Sequence, residues 1–329
     1  MELNTEIKIS TDPIFNKISK VVPEIEWKIH APLIHKINKL KKEKNAVILA
    51  HNYQTPEIYH GVADFAADSL ALAIEASKTK ADIIIMCGVH FMAETAKLMN
   101  PNKKVLLPDM EAGCSLSSSI TGEDVRLLKK KYPGVPVVSY VNTSADVKAE
   151  TDVCCTSANA IKVVESLKSE KVIFLPDDYL AKYVASKTDV KIISWKGTCI
   201  VHEQFTAKEI NEIKNQNPGI VVIAHPECPP DVIKASDFTG STTGMSKYVK
   251  NNQPKKVMMV TECSMSDNVQ VENPKVEFIK PCNLCPYMKK ITLPKILSCL
   301  EKENNEIIIP ENLMDKARQS VERMTSIGR

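Results

Sequence analysis

Three of the ten cysteines lie in turn-like stretches beside Gly or Pro, where a thiolate has room to act. Cys114 follows Gly113, Cys199 follows a Gly-Thr pair, and Cys285 precedes Pro286. They are separated by 85 residues (114 to 199) and 86 residues (199 to 285). Three thiolates suit a soft metal site, which means zinc or an iron–sulfur cluster. The pattern favours one metal centre that receives a thiolate from each of three similar units.

The wide spacing excludes the usual local metal motifs. No C-x2-C-x2-C run occurs, and the pair Cys282 and Cys285 lacks the second pair that a zinc ribbon requires. Ligands this far apart must be brought together by the finished fold. A four-iron cluster with three protein thiolates leaves one iron open, and an open metal position can act as a Lewis acid on a substrate oxygen.

Other polar side chains that could do chemistry gather just after short apolar runs. His51 follows VILA, Tyr140 and Asn142 end VPVVSYVN, and His225 and Glu227 follow IVVIA. In open parallel α/β sheets, ligands bind outside the carboxyl ends of the strands. So many polar strand ends predict several α/β units that direct these ends toward one shared centre.

The sequence also indicates the strands and helices that must position these residues. Short runs rich in Val and Ile, such as 46–51, 82–88 and 171–176, alternate with amphipathic stretches such as 69–80 and 206–216. This alternation predicts parallel sheets covered by helices on both faces. A length of 329 residues favours two or three such units. The absence of a Pro/Gly-rich linker predicts that they pack tightly together.

Composition argues against several classes of protein. The net charge is +3 and aromatic residues make up 5%, which disfavours nucleic-acid binding. The longest apolar runs, such as 81–89, are too short to span a membrane, and the N-terminal residues do not resemble a secretory signal. We therefore expect a cytoplasmic protein with reduced thiols. No GxGxxG or GxxxxGK[ST] motif is present to cradle nucleotide phosphates.

An ordered set of motifs resembles the quinolinate synthases and covers roughly residues 45–290. Single members of the set are common in proteins, but their order is specific. The motifs are His51-Asn-Tyr-Gln54, Asp68-Ser-Leu70, Phe91-Met-Ala-Glu-Thr-Ala-Lys97, Tyr140-Val-Asn-Thr-Ser144, Gly197-Thr-Cys-Ile-Val-His202, His225-Pro-Glu227, Gly240-Ser-Thr242 and Cys285-Pro-Tyr-Met288.

The resemblance implies an α/β fold of three Rossmann-like αβα units, with short parallel sheets in a pseudo-threefold arrangement around a central active site. The units would comprise residues 30–117 with 283–329, 118–198, and 199–282. It also implies a transferase of NAD biosynthesis that condenses iminoaspartate (iminosuccinate) with dihydroxyacetone phosphate to give quinolinate, phosphate and water. An aspartate-oxidising enzyme would be a functional partner.

The resemblance also assigns the site residues. The ligands of a [4Fe-4S] cluster would be Cys114, Cys199 and Cys285, with the open iron acting as a Lewis acid. The proposed catalytic residues are Tyr140, His225, Glu227 and His51. Substrate would be bound by His51, Ser69, Tyr140, Val141 (through its backbone), Asn142, Ser157, His225, Pro226, Glu227 and Thr242.

Elementary chemistry agrees with this assignment, because anionic substrates call for hydroxyl, imidazole and backbone N–H donors. Ser69 opens a predicted helix, whose N-terminus attracts anions, although Ser is equally suited to a plain N-cap. The loop 240–244 could wrap a carboxylate or phosphate, or be an ordinary turn. Glu94 is interpreted as a helix residue that braces the site.

Some alternatives remain open. Cys282 competes with Cys285 for the third ligand position, and no role is assigned to residues 260–268. A zinc hydrolase with His51, His225 and Glu227 as ligands would explain the histidines but leave the three cysteines idle. A non-catalytic ligand-binding or redox-sensing protein on the same sheets would need neither Tyr140 nor Glu227.

Overall fold

Three separate parallel sheets of four strands each form the framework of the molecule. The computed structural model describes residues 3–328. The first sheet has the order β2-β1-β3-β4, the second β6-β5-β7-β8 and the third β10-β9-β11-β12. The strands are β1 Ala46–His51, β2 Phe65–Ala67, β3 Ile83–Cys87, β4 Lys104–Leu106, β5 Val137–Tyr140, β6 Val153–Cys155, β7 Lys171–Leu175, β8 Lys191–Ser194, β9 Val221–Ala224, β10 Phe238–Thr239, β11 Lys256–Val260 and β12 Glu277–Ile279.

Helices flank each sheet, as parallel strands require, because each crossover must return over a face of the sheet. The α-helices are α1 Thr5–Ile18, α2 Glu24–Glu43, α3 Pro56–Tyr59, α4 Ser69–Lys78, α5 His90–Met99, α6 Gly122–Lys131, α7 Ala145–Ala149, α8 Ala160–Ser166, α9 Asp178–Ala185, α10 Ala207–Gln216, α11 Pro230–Ala235, α12 Thr242–Asn252, α13 Cys263–Glu272, α14 Leu293–Lys302 and α15 Glu311–Ile327. Short 3-10 helices span Ser117–Ser119, His202–Gln204 and Met288–Lys290.

The identical strand order in the three sheets confirms the predicted fold class of three Rossmann-like α/β units. The first two strands of each unit lie side by side, and the chain then crosses to the other side of the first strand. Every strand pair is parallel, for example β1 with β3, where Val47 is opposite Ile84. β3 is buried along its whole length, as its continuous apolar run predicts.

The C-terminal helices contact more than one unit. α14 packs on α2, whereas α15 packs on α7 and β6 of the second unit and also on α5 of the first. Ala317, Ser320, Val321 and Met324 are the buried side chains of α15. The predicted boundaries between the units, which place residues 283–329 with the first, stay a prediction. Among residues 3–328, no helix combines the length and apolar character that a membrane crossing needs.

Candidate active site and metal centre

One cavity collects the carboxyl-terminal strand ends of all three sheets. It has an empty volume of about 720 Å³. The predicted site residues line it, apart from Val141 and Pro226. They are His51, Ser69, Cys114, Tyr140, Asn142, Ser157, Cys199, His225, Glu227, Thr242 and Cys285. The fold therefore brings together residues up to 234 positions apart (51 to 285).

Val141 lies behind this cavity, beside a smaller apolar one. Its N–H donates to the Cys155 carbonyl at 2.8 Å, and its own carbonyl accepts from Lys148 Nζ at 2.9 Å. Both backbone polar groups of Val141 therefore already have partners within the protein. The predicted backbone contact of Val141 with substrate stays a prediction.

Cys114, Cys199 and Cys285 occupy the same place in three equivalent local structures. Each follows the fourth strand of its unit and stands three positions before a 3-10 helix. In each case the cysteine carbonyl accepts from the N–H four residues on, at 3.0 to 3.1 Å. The N–H groups two and three residues on, as in Leu116 and Ser117, face the sulfur. Each unit thus supplies one thiol that is already surrounded by backbone donors.

These thiols are poor acids unless a cation shares their site. Burial raises the pKa of Cys114 to about 12, and burial likewise raises the pKa values of Cys199 and Cys285. Metal coordination deprotonates a thiol outright, and N–H donors stabilise the resulting negative sulfur. Three such thiols on one cavity fit a soft metal or an iron–sulfur cluster.

Cys282 has a different partner. It forms a disulfide with Cys263, the first residue of α13, across a Cα–Cα distance of 4.9 Å. The expectation that all thiols are reduced is therefore wrong for this pair. Cys282 does not line the central cavity, whereas Cys285 does. The physical reason is that the two side chains, with two turn residues between them, point in different directions.

A buried ion pair supports the loop that carries Cys285. Glu262, which is fully buried, pairs with Lys289 at 2.8 Å and accepts from the Cys285 N–H at 3.3 Å. Lys289 Nζ also donates to the Tyr53 carbonyl and the Ser264 hydroxyl, each at 2.7 Å. The segment 260–268, to which the sequence assigned no role, therefore holds the third cysteine loop against the loop after β1.

Glu227 is the centre of a buried hydrogen-bond network. The Tyr140 hydroxyl donates to its Oε1 at 2.5 Å, and His202 Nδ1 lies 2.9 Å from its Oε2. Burial alone raises the pKa of Glu227, but its histidine neighbours and Tyr140 outweigh burial and hold this pKa well below its usual range. Burial, together with the Glu227 charge, raises the pKa of Tyr140 well above 10. At neutral pH the pair is therefore a phenol that donates to a carboxylate.

His51 and His225 are held in the same way in two different units. His51 Nδ1 accepts from the Tyr53 N–H at 3.3 Å, and His225 Nδ1 accepts from the Glu227 N–H at 3.4 Å. In a neutral imidazole this leaves the proton on Nε2. Burial lowers the pKa of His51 to about 4 and that of His225 to about 3. Both are therefore neutral donors, and His225 Nε2 lies 3.2 Å from Ser157 Oγ.

Two helix N-termini also open on the cavity. Ser69 and Thr242 are the first residues of α4 and α12, and both line it. The N-cap of α4 is Asp68, which accepts from the Ala71 N–H, so the plain N-cap interpretation of Ser69 is wrong. In the loop 240–244, Ser241 caps α12 by accepting from the Gly244 N–H at 3.2 Å. Helix N-termini attract anions, which suits negatively charged ligands.

Three functional candidates were missed in the sequence. Tyr53, His202 and Thr261 form a chain in which Tyr53 Oη lies 2.6 Å from Thr261 Oγ1, and Thr261 Oγ1 lies 3.0 Å from His202 Nε2. His202 then reaches Glu227 through its other nitrogen. Tyr53 lies two residues after His51, in the motif 51–54, and His202 lies three residues after Cys199, in the motif 197–202. Their closeness to predicted site residues could have identified both as candidates.

Comparison with known proteins agrees with this geometry. Residues 35–326 match the family model described as quinolinate synthetase A protein. The chain belongs to the quinolinate synthetase A family. A quinolinate synthase of Sinorhizobium fredii is 60% identical over 317 residues, which cover 96% of this chain and 88% of that relative. One from Caulobacter vibrioides is 56% identical, covering 98% and 89%, and one from Xylella fastidiosa is 60% identical, covering 89% and 87%.

Membership of the quinolinate synthetase A family identifies the chain as an enzyme, since the relatives are named as synthases. A second group of side chains has the donor atoms that a metal ion could bind. Among residues 3–328, donor atoms of Cys199, His202 and Glu227 lie within 4.8 Å of one another. This set shares only Glu227 with the zinc triad considered from the sequence. Both His202 nitrogens and both Glu227 oxygens already have polar neighbours in the network described above.

Proposed function

We propose that this chain is a quinolinate synthase of NAD biosynthesis. As a transferase, it would condense iminoaspartate with dihydroxyacetone phosphate to form quinolinate, phosphate and water. The observation that carries the proposal is the repeated strand–cysteine–3-10 structure, which brings one thiol from each of three units to a cavity rich in neutral hydrogen-bond donors. Family membership supplies the name of the reaction.

Cys114, Cys199 and Cys285 would hold a [4Fe-4S] cluster. When bound, such a cluster supplies a Lewis-acidic iron without a protein ligand, which can polarise a substrate hydroxyl or carbonyl oxygen. The fit rests on the donor set itself, because three half-buried thiols, each with backbone N–H groups facing its sulfur, suit a soft, electron-rich centre.

The other cavity residues would bind and orient the two anionic substrates. His51 and His225 offer Nε2–H donors, Ser69, Ser157 and Thr242 offer hydroxyl groups, and Asn142 offers its amide. We retain Val141 and Pro226, which adjoin Tyr140 and Glu227, as proposed binding residues. These neutral donors can bind carboxylates and a phosphate, and they offset the ionised Glu227 that also lines the cavity.

Glu227 and Tyr140 are the proposed proton-transfer pair. Glu227 is held as a carboxylate and can accept a proton, and Tyr140 can donate the proton that it shares with Glu227 Oε1. His51 and His225 complete the proposed catalytic set as neutral acid–base groups. Ring closure and loss of water both require such transfers.

We also propose a cytoplasmic location, because an open iron site is easily oxidised and a reducing compartment protects it, with the Cys263–Cys282 disulfide as an exception among the cysteines. The imine substrate would come from an enzyme that oxidises aspartate, which is the class of reaction that converts the amine of that amino acid to an imine.

Anaerobic purification tests the proposal. We expect about four iron and four acid-labile sulfide per chain, the expected content of one [4Fe-4S] cluster, and quinolinate formation from the two substrates that is lost in air. Colourless, zinc-loaded protein with full activity would overturn the cluster. Protein with an intact cluster and no quinolinate formation would overturn the reaction, and would favour the ligand-binding or redox-sensing alternative.

A further inference from the structure

Lys148 is a fully buried lysine directly behind the substrate-binding loop. It lies on α7, immediately after the loop of residues 140–144, and none of its surface is exposed. Its Nζ donates to the carbonyls of Val141, at 2.9 Å, and of Thr143. It also lies 5.6 Å from the centroid of the Phe91 ring, and Phe91 lines the cavity.

The surroundings of this amine suit its charged form. Two carbonyl oxygens and the face of an aromatic ring all stabilise a positive charge. A neutral amine would have a lone pair that needs a hydrogen-bond donor, and these three groups supply none. Burial lowers the pKa of Lys148, and the nearby charge of Glu94 opposes that effect. Because both hydrogen-bond acceptors are uncharged carbonyls, these bonds leave the positive charge of Lys148 unneutralised.

Lys148 is one of two donors to the Val141 carbonyl in this loop. The Val141 carbonyl accepts from Lys148 Nζ and from the Thr143 N–H at 2.8 Å, so it points to the inside of a tight turn. In a planar trans peptide the N–H of the next residue points the opposite way. That residue is Asn142, which lines the cavity.

Asn142 itself is prepared for a ligand. Its Oδ1 is buried and has no hydrogen-bond partner among residues 3–328. Buried polar atoms are normally paired, so this orphaned acceptor indicates a ligand that carries a hydrogen-bond donor, such as a hydroxyl or imine N–H, in addition to its anionic groups. A cation on the carbonyl side of a peptide group also polarises that group and strengthens its N–H as a donor.

We propose that Lys148 is the positioning residue of the anion site: its buried ammonium group orients the peptide between Val141 and Asn142 and strengthens the Asn142 N–H as a donor to a carboxylate or phosphate of the substrate. The proposal rests on the proposed function only in taking the ligand to be anionic. It does not require Lys148 to contact substrate.

The test uses Lys148→Met, which keeps the shape of the side chain and removes its charge and donors. The probe is succinate, a plain dicarboxylate, titrated by calorimetry into anaerobic holoenzyme at constant ionic strength. We expect its dissociation constant to rise about tenfold or more, in line with the loss of a charge-assisted hydrogen bond. The KM for the anionic substrates should rise to a similar degree, and kcat should change by less than about threefold.

Lys41→Met is the matched control. Lys41 is also a buried lysine that donates to a carbonyl, Val62 O at 2.8 Å, but its charge is paired with Asp64 at 2.8 Å. Its succinate affinity should stay within about twofold of that of the natural protein. A merely structural role of Lys148 would lower iron content and kcat and leave the succinate affinity of the folded fraction unchanged, which would overturn the proposal.

If Lys148→Met does not fold, Lys148→Gln decides. Gln keeps N–H donors for the carbonyls of Val141 and Thr143 while removing the positive charge. We expect the dissociation constant of succinate to rise about three- to tenfold, and unchanged or tighter binding would overturn the proposal. Lysine-dependent succinate binding without quinolinate formation would contradict only the proposed reaction. Failure of the natural protein to bind succinate would overturn the anion site.

Discussion

Tyr140 and Glu227 form the closest polar contact between two units in the cavity. Tyr140 ends β5 of the second unit, and Glu227 follows β9 of the third. Burial and the Glu227 charge keep the phenol of Tyr140 neutral. The neighbouring histidines and Tyr140 keep the carboxyl of Glu227 ionised against the effect of burial. Two groups whose pKa values are pushed apart in this way are typical of an acid and a base with separate roles.

Replacing Tyr140 with Phe removes one hydroxyl group and almost no volume. We expect turnover to fall by about 10²–10⁴-fold, because a positioned proton donor is lost, while iron content stays unchanged. The measurement is quinolinate formation by anaerobic enzyme of matched iron content. Tyr183→Phe, on α9 outside the cavity, is the control. A near-normal rate in Tyr140→Phe would leave His225 and Glu227 as the remaining candidates.

The two cysteines of the 281–286 turn should behave differently. Cys285 lines the cavity and Cys282 is bonded to Cys263. We expect Cys285→Ala to lose its iron and all turnover, as should Cys114→Ala and Cys199→Ala. Cys282→Ala should keep its iron and most of its activity. Iron and sulfide assays on the four variants provide the check, and the reverse pattern would show that Cys282 is the ligand.

At the scale of elements, the recurring unit is a fourth strand, a cysteine turn and a 3-10 helix. The 3-10 helix follows the cysteine at the same distance in each unit, so the N–H groups at its start face the sulfur. The third unit adds the Glu262–Lys289 pair, which connects its turn to the start of α13 and to the loop after β1. This pair is well placed to set the position of Cys285.

Glu262→Gln tests that connection. Removal of one partner of a buried ion pair costs about 3–5 kcal/mol and leaves Lys289 uncompensated, so the turn should loosen. We expect iron to be lost to a chelator several times faster than from the natural protein. Glu277→Gln, which breaks the exposed pair with Lys256 at 3.4 Å, is the control. Iron loss at the natural rate in Glu262→Gln would show that the pair does not support the cluster turn.

At the scale of the whole molecule, hydrogen bonds across the cavity join the units to one another. Tyr53 of the first unit contacts Thr261 of the third, and Tyr140 of the second contacts Glu227 of the third. Asn268 on α13 also donates to the carbonyls of Asn52, at 3.1 Å, and of Gln54, at 2.8 Å, after β1. Part of the contact between units is therefore made by residues that line the cavity, namely Tyr53, Tyr140 and Glu227.

His60, on the segment between β1 and β2, makes the stability of the folded protein depend on pH. It follows α3, and its ring lies edge-on to the ring of Tyr59. The charge of Lys17 on α1 and the Asn268 backbone on α13 act on its imidazole. Burial, with Lys17, lowers the pKa of His60 to about 4. Between pH 6.5 and about 4 the unfolded chain therefore takes up a proton that the folded protein does not. Stability contributed by His60 is thus lost as pH falls through this window.

The test is chemical unfolding of the natural protein and His60→Gln at pH 7 and pH 5. Relative to the natural protein, the variant should gain about 1 kcal/mol between pH 7 and pH 5, allowing for the partial exposure of His60. Comparing the two proteins cancels the other titrating groups. A difference that is the same at both pH values would contradict the shifted pKa of His60.

The sequence by itself determined most of the strands, the polar strand ends and the three cysteine turns, but not the short strands β2, β6 and β10. Alternating apolar runs and amphipathic stretches encode burial locally, so two or three α/β units were readable without coordinates, and the family resemblance implied three. The cysteines stood out because each lies in a turn-like stretch beside Gly or Pro, whereas Ser69 and Thr242 were assigned by the resemblance.

Only the tertiary structure decided which side chains meet. Cys263 and Cys282 lie 19 residues apart, and Tyr53 and Thr261 lie 208 apart. Nothing in the local pattern at either position specifies the other. The role of Lys148 was hidden for the same reason, because a lysine in a short polar stretch is expected at the surface. Its burial depends on the packing of α7 between α5 and α15, and that packing exists only when distant segments fold together.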